Sequence, residues 1–450
     1  MVESCWGQHT GKREGWGGGP PQTPPFRGTG LARRAHGNVG SGEARLPSLP
    51  SPLARARGWN TAGRGISSGR QPPFPPQTGT MTDTSFEIFL VTPPGLEDVL
   101  RAEVAALGFG DPQVVKGGVV IQGGWPEVWR ANLEVRGASR VVARVAAFRA
   151  MHLAQLDKRA RKVAWGKVLR ADVAVSVEAT CSGSRIYHAK AAAQRLEQAV
   201  AETLGVPVSP EAPIRVMARL DDDWCTLSVD TSGELLHRRQ HKEAVNKAPL
   251  RETLAALFLR ACGYDGQEAV VDPMCGSGTF VIEAAEMAAG LPPGRSRTFA
   301  FEQMATFDPE AWSALRQRAS EPLSGVRFFG SDRDPGAIRM SRANAERAQV
   351  ADVIRFQERP VSDLWPPAGL APGLVMVNPP YGTRLGDKRE LKGLYQTLGR
   401  RLRSYFQGWR VGLITSEATL AQATGLPFLP PGPVISHGGV PVRLYRTDPL

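Results

Sequence analysis

Cysteine is scarce in this chain. Cys5, Cys181, Cys225, Cys262 and Cys275 are scattered through 450 residues with no C-x-x-C pair. That scatter excludes a disulfide framework and a cysteine zinc site, and it fits a reducing compartment, so the expected location is cytoplasmic. The seven histidines show no metal spacing, so no metal is expected. No apolar run of about 18 residues occurs, and no membrane span is expected. Repeats at a solenoid period are also missing. The remaining length is ample for two or three domains with their own cores.

Acidic charge is thin at one end. The net charge is +12 and the pI about 9.8, which favours a polyanionic partner. Residues 1–80, however, carry 10 Lys/Arg against 3 Asp/Glu, so +7 of the +12 lies there. They are rich in Gly and Pro without apolar periodicity, and read as a disordered extension. Met81 opens directly into Phe86-Glu-Ile-Phe-Leu-Val, so it is the expected native start.

Beyond that point three blocks are expected. Residues 81–150 read as a small α+β unit. Its expected elements are a strand over 86–92, a helix over 96–107 capped by Gly108, a hairpin across Gly117-Gly118, a helix over 125–132 and a strand over 140–148. Residues 151–232 read as a second α+β unit, with helices over 156–170 and 186–204, a strand over 173–179, and a hairpin turning at Asp221-Asp222-Asp223. Neither holds an obvious catalytic cluster, which points to recognition. A basic linker, 233–248, follows. Residues 249–450 alternate helices and apolar strands, the pattern of a parallel sheet with crossovers.

Four motifs in the last block carry chemistry. Asp272-Pro273-Met274-Cys275-Gly276-Ser277-Gly278-Thr279 joins a strand to a helix. Two glycines permit left-handed backbone and close ligand approach, and the helix start offers free N–H groups. Without a Lys after the glycine, or a third glycine, it is neither a P-loop nor a dinucleotide fingerprint. A glycine-rich turn with no ligand is the bland alternative. Asp332, ending the next strand, can accept two hydroxyls of a ribose, while Asp334 caps the helix at Pro335. Asp363 can accept an adenine amino group, or be a solvated loop acid. Cys275 reads as packing within the turn rather than as a methyl acceptor.

The fourth motif is Asn378-Pro379-Pro380-Tyr381 at the end of the apolar strand 374–377. A ring-conjugated exocyclic amine is a poor nucleophile because its lone pair is delocalised. The Asn378 side-chain oxygen and the Pro379 carbonyl can accept its two hydrogens and leave the lone pair free. The prolines fix the carbonyl's direction, and Tyr381 offers a stacking face. Basic and aromatic residues elsewhere, Arg185, Tyr187, His188 and Lys190, with Arg238 and Arg239 in the linker and Arg384 after the fourth motif, are candidate RNA contacts.

From about Phe86 onward the chain resembles the THUMP-domain class I RNA methyltransferases, closest to the RlmL-type 23S rRNA guanine-N2 enzymes. The resemblance rests on Thr92-Pro-Pro-Gly-Leu-Glu, Leu236-His-Arg-Arg with Ala248-Pro-Leu-Arg-Glu-Thr, Asp272-Pro-Met-Cys-Gly-Ser-Gly-Thr and Asn378-Pro-Pro-Tyr-Gly-Thr-Arg-Leu. It implies a ferredoxin-like lead-in, a THUMP module over 151–232 and a seven-stranded Rossmann-like catalytic domain. It also implies S-adenosylmethionine as donor and a guanine N2 in RNA as acceptor, with rRNA favoured over tRNA. By that resemblance Asp272, Gly276 and Gly278 line the methionine side, with Pro273, Met274, Cys275 and Thr279 also at the cofactor; Asp332 takes the ribose, Thr253 opens a helix near the cofactor, and Asn378 to Tyr381 hold the base, Asn378 also touching the cofactor. The family's adenine-contacting acid is replaced by Pro360, which leaves Asp363 the nearest candidate. Open alternatives are an adenine-N6 or protein glutamine methyltransferase, and a non-catalytic RNA-binding assembly factor.

Overall fold

The computed structural model describes residues 85–242, 250–317, 323–381 and 388–450. The expected extension 1–80, the start at Met81, the end of the linker and Arg384 lie outside the described residues.

The first half builds one mixed sheet from β1 (Phe86–Val91), β2 (Gln113–Val115), β3 (Gly118–Gly123), β4 (Arg140–Arg149), β5 (Val175–Ser182), β6 (Ile214–Asp221) and β7 (Trp224–Asp230). The strand order is β2-β3-β1-β4-β7-β6-β5. Helices α1 (Glu97–Ala106), α2 (Trp125–Glu134), α3 (Leu153–Ala160) and α4 (Ala189–Leu204) accompany it. Phe86, Ile88 and Leu90 of β1 are buried while their neighbours are only partly covered, the period-two pattern of a half-buried strand. Strands from both expected α+β units share this sheet, because β4 runs antiparallel to β7 from Val142↔Asp230 to Arg149↔Trp224. The β6–β7 turn places Asp222 (φ 52°) and Asp223 (φ 62°) in the left-handed region, which aspartate tolerates and which matches hairpin twist.

One expected helix is broken. In place of a helix over 156–170, α3 ends at Ala160 and a 3-10 turn spans Trp165–Lys167. The Trp165 indole is buried and donates to the Ala160 carbonyl (2.9 Å), which folds the chain back onto the end of α3.

The second half is a seven-stranded Rossmann-like α/β unit. Its strands are β8 (Val270–Asp272), β9 (Phe328–Asp332), β10 (Ile354–Glu358), β11 (Leu374–Val377), β12 (Arg410–Thr415), β13 (Ile435–His437) and β14 (Val440–Arg446), in the order β10-β9-β8-β11-β12-β14-β13. The first five are parallel, but β14 is antiparallel to β12, and β13 to β14, so the sheet is mixed at that edge. Its helices are α5 (Glu252–Ala261), α6 (Thr279–Ala288), α7 (Pro309–Arg316), α8 (Pro335–Arg347), α9 (Lys388–Tyr405) and α10 (Ala418–Ala423). Central β11 is buried throughout, as a strand covered on both faces must be. The sequence reading missed α7, α10 and β13. Strand β8 is flanked by β9 on one side and β11 on the other, so chain order reverses there. The crevice beyond the carboxyl ends of such strands is where open α/β sheets bind ligands.

Candidate active site

The glycine turn closes that crevice from the β8 side. Asp272, at the end of β8, is 2% exposed, and one of its carboxylate oxygens accepts the Met274 amide (3.1 Å). Burial pushes the Asp272 carboxyl up to about 8, against the bond from Met274. The Cys275 amide donates to the Ser331 carbonyl (2.9 Å), which ties the turn to β9. Gly276 (φ 53°) and Gly278 (φ 81°) are both left-handed. A β-carbon on Gly278 would meet Ile282, Phe356 and Ser341 at 3.1–3.2 Å, whereas one on Gly276 meets nothing within 4 Å. Open space therefore lies over Gly276.

Helix α8 clamps the turn from outside. The Ser341 hydroxyl donates to the Gly276 carbonyl (2.7 Å) and the Asn344 amide to the Ser277 carbonyl (3.0 Å). Asp332 accepts the Gly276 amide on one oxygen (3.0 Å) and the Asp334 amide on the other (3.0 Å). Each oxygen keeps a lone pair, so the carboxylate can still accept the two hydroxyls of a ribose. Asp334 accepts the Gly336 amide (2.8 Å) and caps α8, the role read from the sequence. The Cys275 thiol is buried and pushed well above its usual range by that burial, the behaviour of a packing group rather than a nucleophile.

The second motif emerges on the neighbouring strand. Val375 pairs with Val271, so Asn378 lies two residues past the partner of Asp272, at the same edge. The Asn378 side-chain oxygen is buried and has no hydrogen-bond partner among the described residues. Such an orphaned acceptor costs about 1–3 kcal/mol unless a ligand supplies a donor. Tyr395 of α9 donates to the Pro380 carbonyl (3.3 Å). The Tyr381 hydroxyl meets Nδ1 of His437 at 3.0 Å, and burial pushes its phenol up to about 12. That tether fixes the ring plane from β13.

Other expected residues are dispersed. Asp363 is exposed in a 3-10 turn (Val361–Asp363), with Ser362 Oγ at 3.2 Å. Thr253 is buried in the first turn of α5 beside Glu252, which pairs with Lys242 (3.1 Å). Pro273 and Met274 complete the turn, Met274 packing under it. Arg185, Tyr187 and His188 are exposed just ahead of α4, and Lys190 is exposed in its first turn. Asp223 of the β6–β7 turn pins them by accepting the Arg185 amide (2.8 Å), and the Tyr187 and His188 rings lie 4.1 Å apart. Arg238 is exposed and pairs with Glu234 (3.1 Å).

Arg239 is a correction. Expected to face RNA, it is 2% exposed, donates to the Leu236 and Arg136 carbonyls (2.6 and 2.8 Å), and pairs with Glu283 (3.4 Å). Its charge balances buried carboxylates on α6, where Arg136 also pairs with Glu283 (2.8 Å) and Arg295 with Glu286 (2.6 Å). The sequence reading also missed Lys242. Its ammonium donates to the Thr279 hydroxyl (2.9 Å) and the Leu250 carbonyl (3.0 Å), joining the linker to the helix that leaves the glycine turn. Its one signal was a basic residue three positions after the Arg-Arg pair. Among the described residues no group of three or more His, Cys, Asp or Glu is placed to hold a metal, and no helix is long and apolar enough to cross a membrane.

Comparison with known proteins gives this geometry a context. Residues 87–142 match the RlmL ferredoxin-like domain, and residues 239–427 the RMKL-like methyltransferase domain. The chain is 37% identical over 363 residues to ribosomal RNA large subunit methyltransferase K/L of Syntrophotalea carbinolica, which covers 76% of this chain and 51% of that protein. It thus spans about half the length of the curated relatives it matches. Among solved structures, a possible methylase from Clostridium difficile 630 superposes with a TM-score of 0.74 at 27% identity, covering 81% of this chain and 98% of that one. SMU.472, a methyltransferase by description and complexed with SAH, gives 0.74 at 25% identity over 82% and 99%.

Proposed function

The chain belongs with the RlmL-type S-adenosylmethionine-dependent methyltransferases by both matched domains, and from that premise we propose that it methylates the exocyclic N2 amine of a guanine in structured RNA, in first place 23S rRNA. The observation that carries the amine is the buried, unpartnered side-chain oxygen of Asn378. The name of the large-subunit rRNA relatives supports the RNA class.

Bound S-adenosylmethionine supplies a methyl group on a positively charged sulfur. The chain's residues fit that donor. Open space over Gly276 admits it, the spare lone pairs of Asp332 take its ribose hydroxyls, and buried Asp272 lies at the methionine side. Asn378 Oδ1 and the Pro379 carbonyl accept the two hydrogens of the guanine amine, which frees its lone pair. Tyr381, held by His437, offers its ring to the base. The N2 proton leaves once nitrogen is alkylated, and the site's contribution is mainly positioning. Asp363 is a candidate for the adenine amine. Residues 151–232 act as the THUMP module, gripping RNA through Arg185, Tyr187, His188 and Lys190, while Arg238 is a separate contact near the other end of β4.

Isotope-labelled S-adenosylmethionine offered to total RNA, DNA and protein tests this reading. Label is expected in RNA, in N2-methylguanine of the large-subunit rRNA by mass spectrometry. Label confined to DNA or protein sinks it.

A further inference from the structure

The motif Thr92-Pro-Pro-Gly-Leu-Glu supplies nothing to the pocket, yet its local structure is closely specified. Pro94 and Gly95 form the middle of a β-turn that the Leu96 amide closes on the Pro93 carbonyl (3.2 Å). Gly95 has φ 96°, the left-handed value such a turn requires after proline. The Glu97 carboxylate pins the turn by accepting the Gly95 amide (2.6 Å) and the Gly117 amide (3.0 Å). What the turn presses on belongs to the other half of the chain. A β-carbon on Gly95 would meet Cβ of Pro433 at 2.8 Å and Cδ1 of Ile435 at 3.2 Å. Any side chain at position 95 would have to push that segment, the entry to β13, away.

Strand β13 has little else to hold it. It is three residues long, and β14 is its one neighbour in the sheet among the described strands. Ile435 and His437 are buried while Ser436 between them is exposed, so the two buried side chains point to the same side. Ile435 lies against Gly95, and His437 meets the Tyr381 hydroxyl (3.0 Å). The register puts that contact at the pocket. Thr415 at the end of β12 is opposite Arg443 of β14, and His437 is opposite Val440, so His437 lies past the carboxyl end of β12. Asn378 follows Val377, which pairs with Leu413, and emerges at the same edge. A shift of β13 at Ile435 therefore reaches Tyr381 over two residues of strand, about 7 Å.

We propose that the amino-terminal unit sets the base pocket through β13: Gly95 fixes Pro433 and Ile435, and His437 is the positioning residue for the Tyr381 ring. The inference rests on the reading that Tyr381 faces the target base. It gives the Pro-Pro-Gly turn a part in turnover, although the turn lies outside the pocket.

The link is read without RNA by fluorine NMR of fluorotyrosine-labelled protein, in which Tyr381→Phe identifies the Tyr381 resonance. Gly95→Ala is expected to shift that resonance from outside the pocket. Should Gly95→Ala fail to fold, Pro433→Gly opens the same contact without straining position 95, and is expected to shift it too. In methylation assays His437→Ala is expected to lower kcat about tenfold, the scale of a small misplacement of reacting groups, with SAH affinity unchanged. His437→Asn keeps an acceptor near the place of Nδ1 and is expected to recover most of the loss. In a Tyr381→Phe background His437→Ala is expected to add little, because its effect passes through the hydroxyl. A Tyr381 resonance that stays in place in both Gly95→Ala and Pro433→Gly overturns the proposal. So does full additivity of His437→Ala with Tyr381→Phe, or a parallel fall in SAH affinity, which marks general loosening of the sheet. If wild-type protein labels no RNA, the proposed function fails, whereas the resonance still decides whether β13 carries the turn to Tyr381.

Discussion

In the glycine turn, Asp332, Ser341 and Asn344 all bond the backbone of residues 276–277, so the cradle is held by the protein before any ligand arrives. One strand away, the Asn378 oxygen is buried with no donor among the described residues. By the proposed reading, the turn has preorganised geometry for the methyl donor. The Asn-Pro-Pro-Tyr end leaves an acceptor unfilled, which the proposed reading reserves for the substrate amine. The difference separates binding from chemistry: damage to the turn should fall on donor affinity and stability, and damage to the strand end on turnover.

Asn378→Ala tests that separation hardest. Methylation is expected to fall by about a hundredfold or more, the scale of losing one preorganised polar contact to the reacting centre. SAH affinity by calorimetry should stay within twofold; near-normal turnover would remove Asn378 from the amine. Asp332→Ala should do the reverse. It takes acceptors from the Gly276 and Asp334 amides and, by the proposed reading, from the ribose, so donor affinity should drop by roughly tenfold or more. Unchanged affinity would take Asp332 out of the ribose site.

The two glycines sharpen the comparison within the turn itself. Both have positive φ, so alanine strains either by about 1 kcal/mol. Gly278→Ala adds contacts at 3.1–3.2 Å with Ile282, Phe356 and Ser341 and should lower Tm the more. Gly276→Ala meets no protein atom, so its distinct effect should be on donor affinity. Equal melting losses with equal affinities would contradict the open space over Gly276.

A separate expected effect is on pH dependence. Burial holds the Asp272 carboxyl at about 8, above its ordinary 3.8. The folded chain therefore keeps a proton that the unfolded chain releases. This contribution to stability is complete below pH 4 and declines as pH rises toward 8. Urea midpoints at pH 6 and 8 should show the decline, and Asp272→Asn should flatten it. A donor cation bound beside Asp272 favours its ionised form, so donor affinity should rise over the same interval.

Much of this was legible in the sequence because backbone rules write it there. Glycines at two positive-φ positions, the Asp334-Pro335 helix start and the wholly apolar 374–377 run each force one local structure, and each lies where expected. What escaped depends on distant partners. His437 reaches Tyr381 only because β13 folds back on β14, and nothing local marks a three-residue strand. Arg239 looks like its exposed neighbour Arg238 until the carboxylates of α6, more than forty residues on, draw it inside. Lys242 has the same history, with Thr279 and Glu252 as its partners. A linear charge run does not say which of its members is solvated.

The joining of β4 to β7 has a consequence for synthesis. Val142 waits for Asp230, 88 residues later, before its ladder can close. At 5–20 residues per second, that leaves the edge of β4 uncovered for roughly 4–18 seconds as the nascent chain leaves the ribosome. Val142, Ala143 and Ala146 offer it as an apolar template to any passing strand. The first half of this protein therefore completes its sheet only when the whole of it has been made, and ribosome-bound chains stalled between residues 150 and 220 should be the ones that bind chaperones or aggregate.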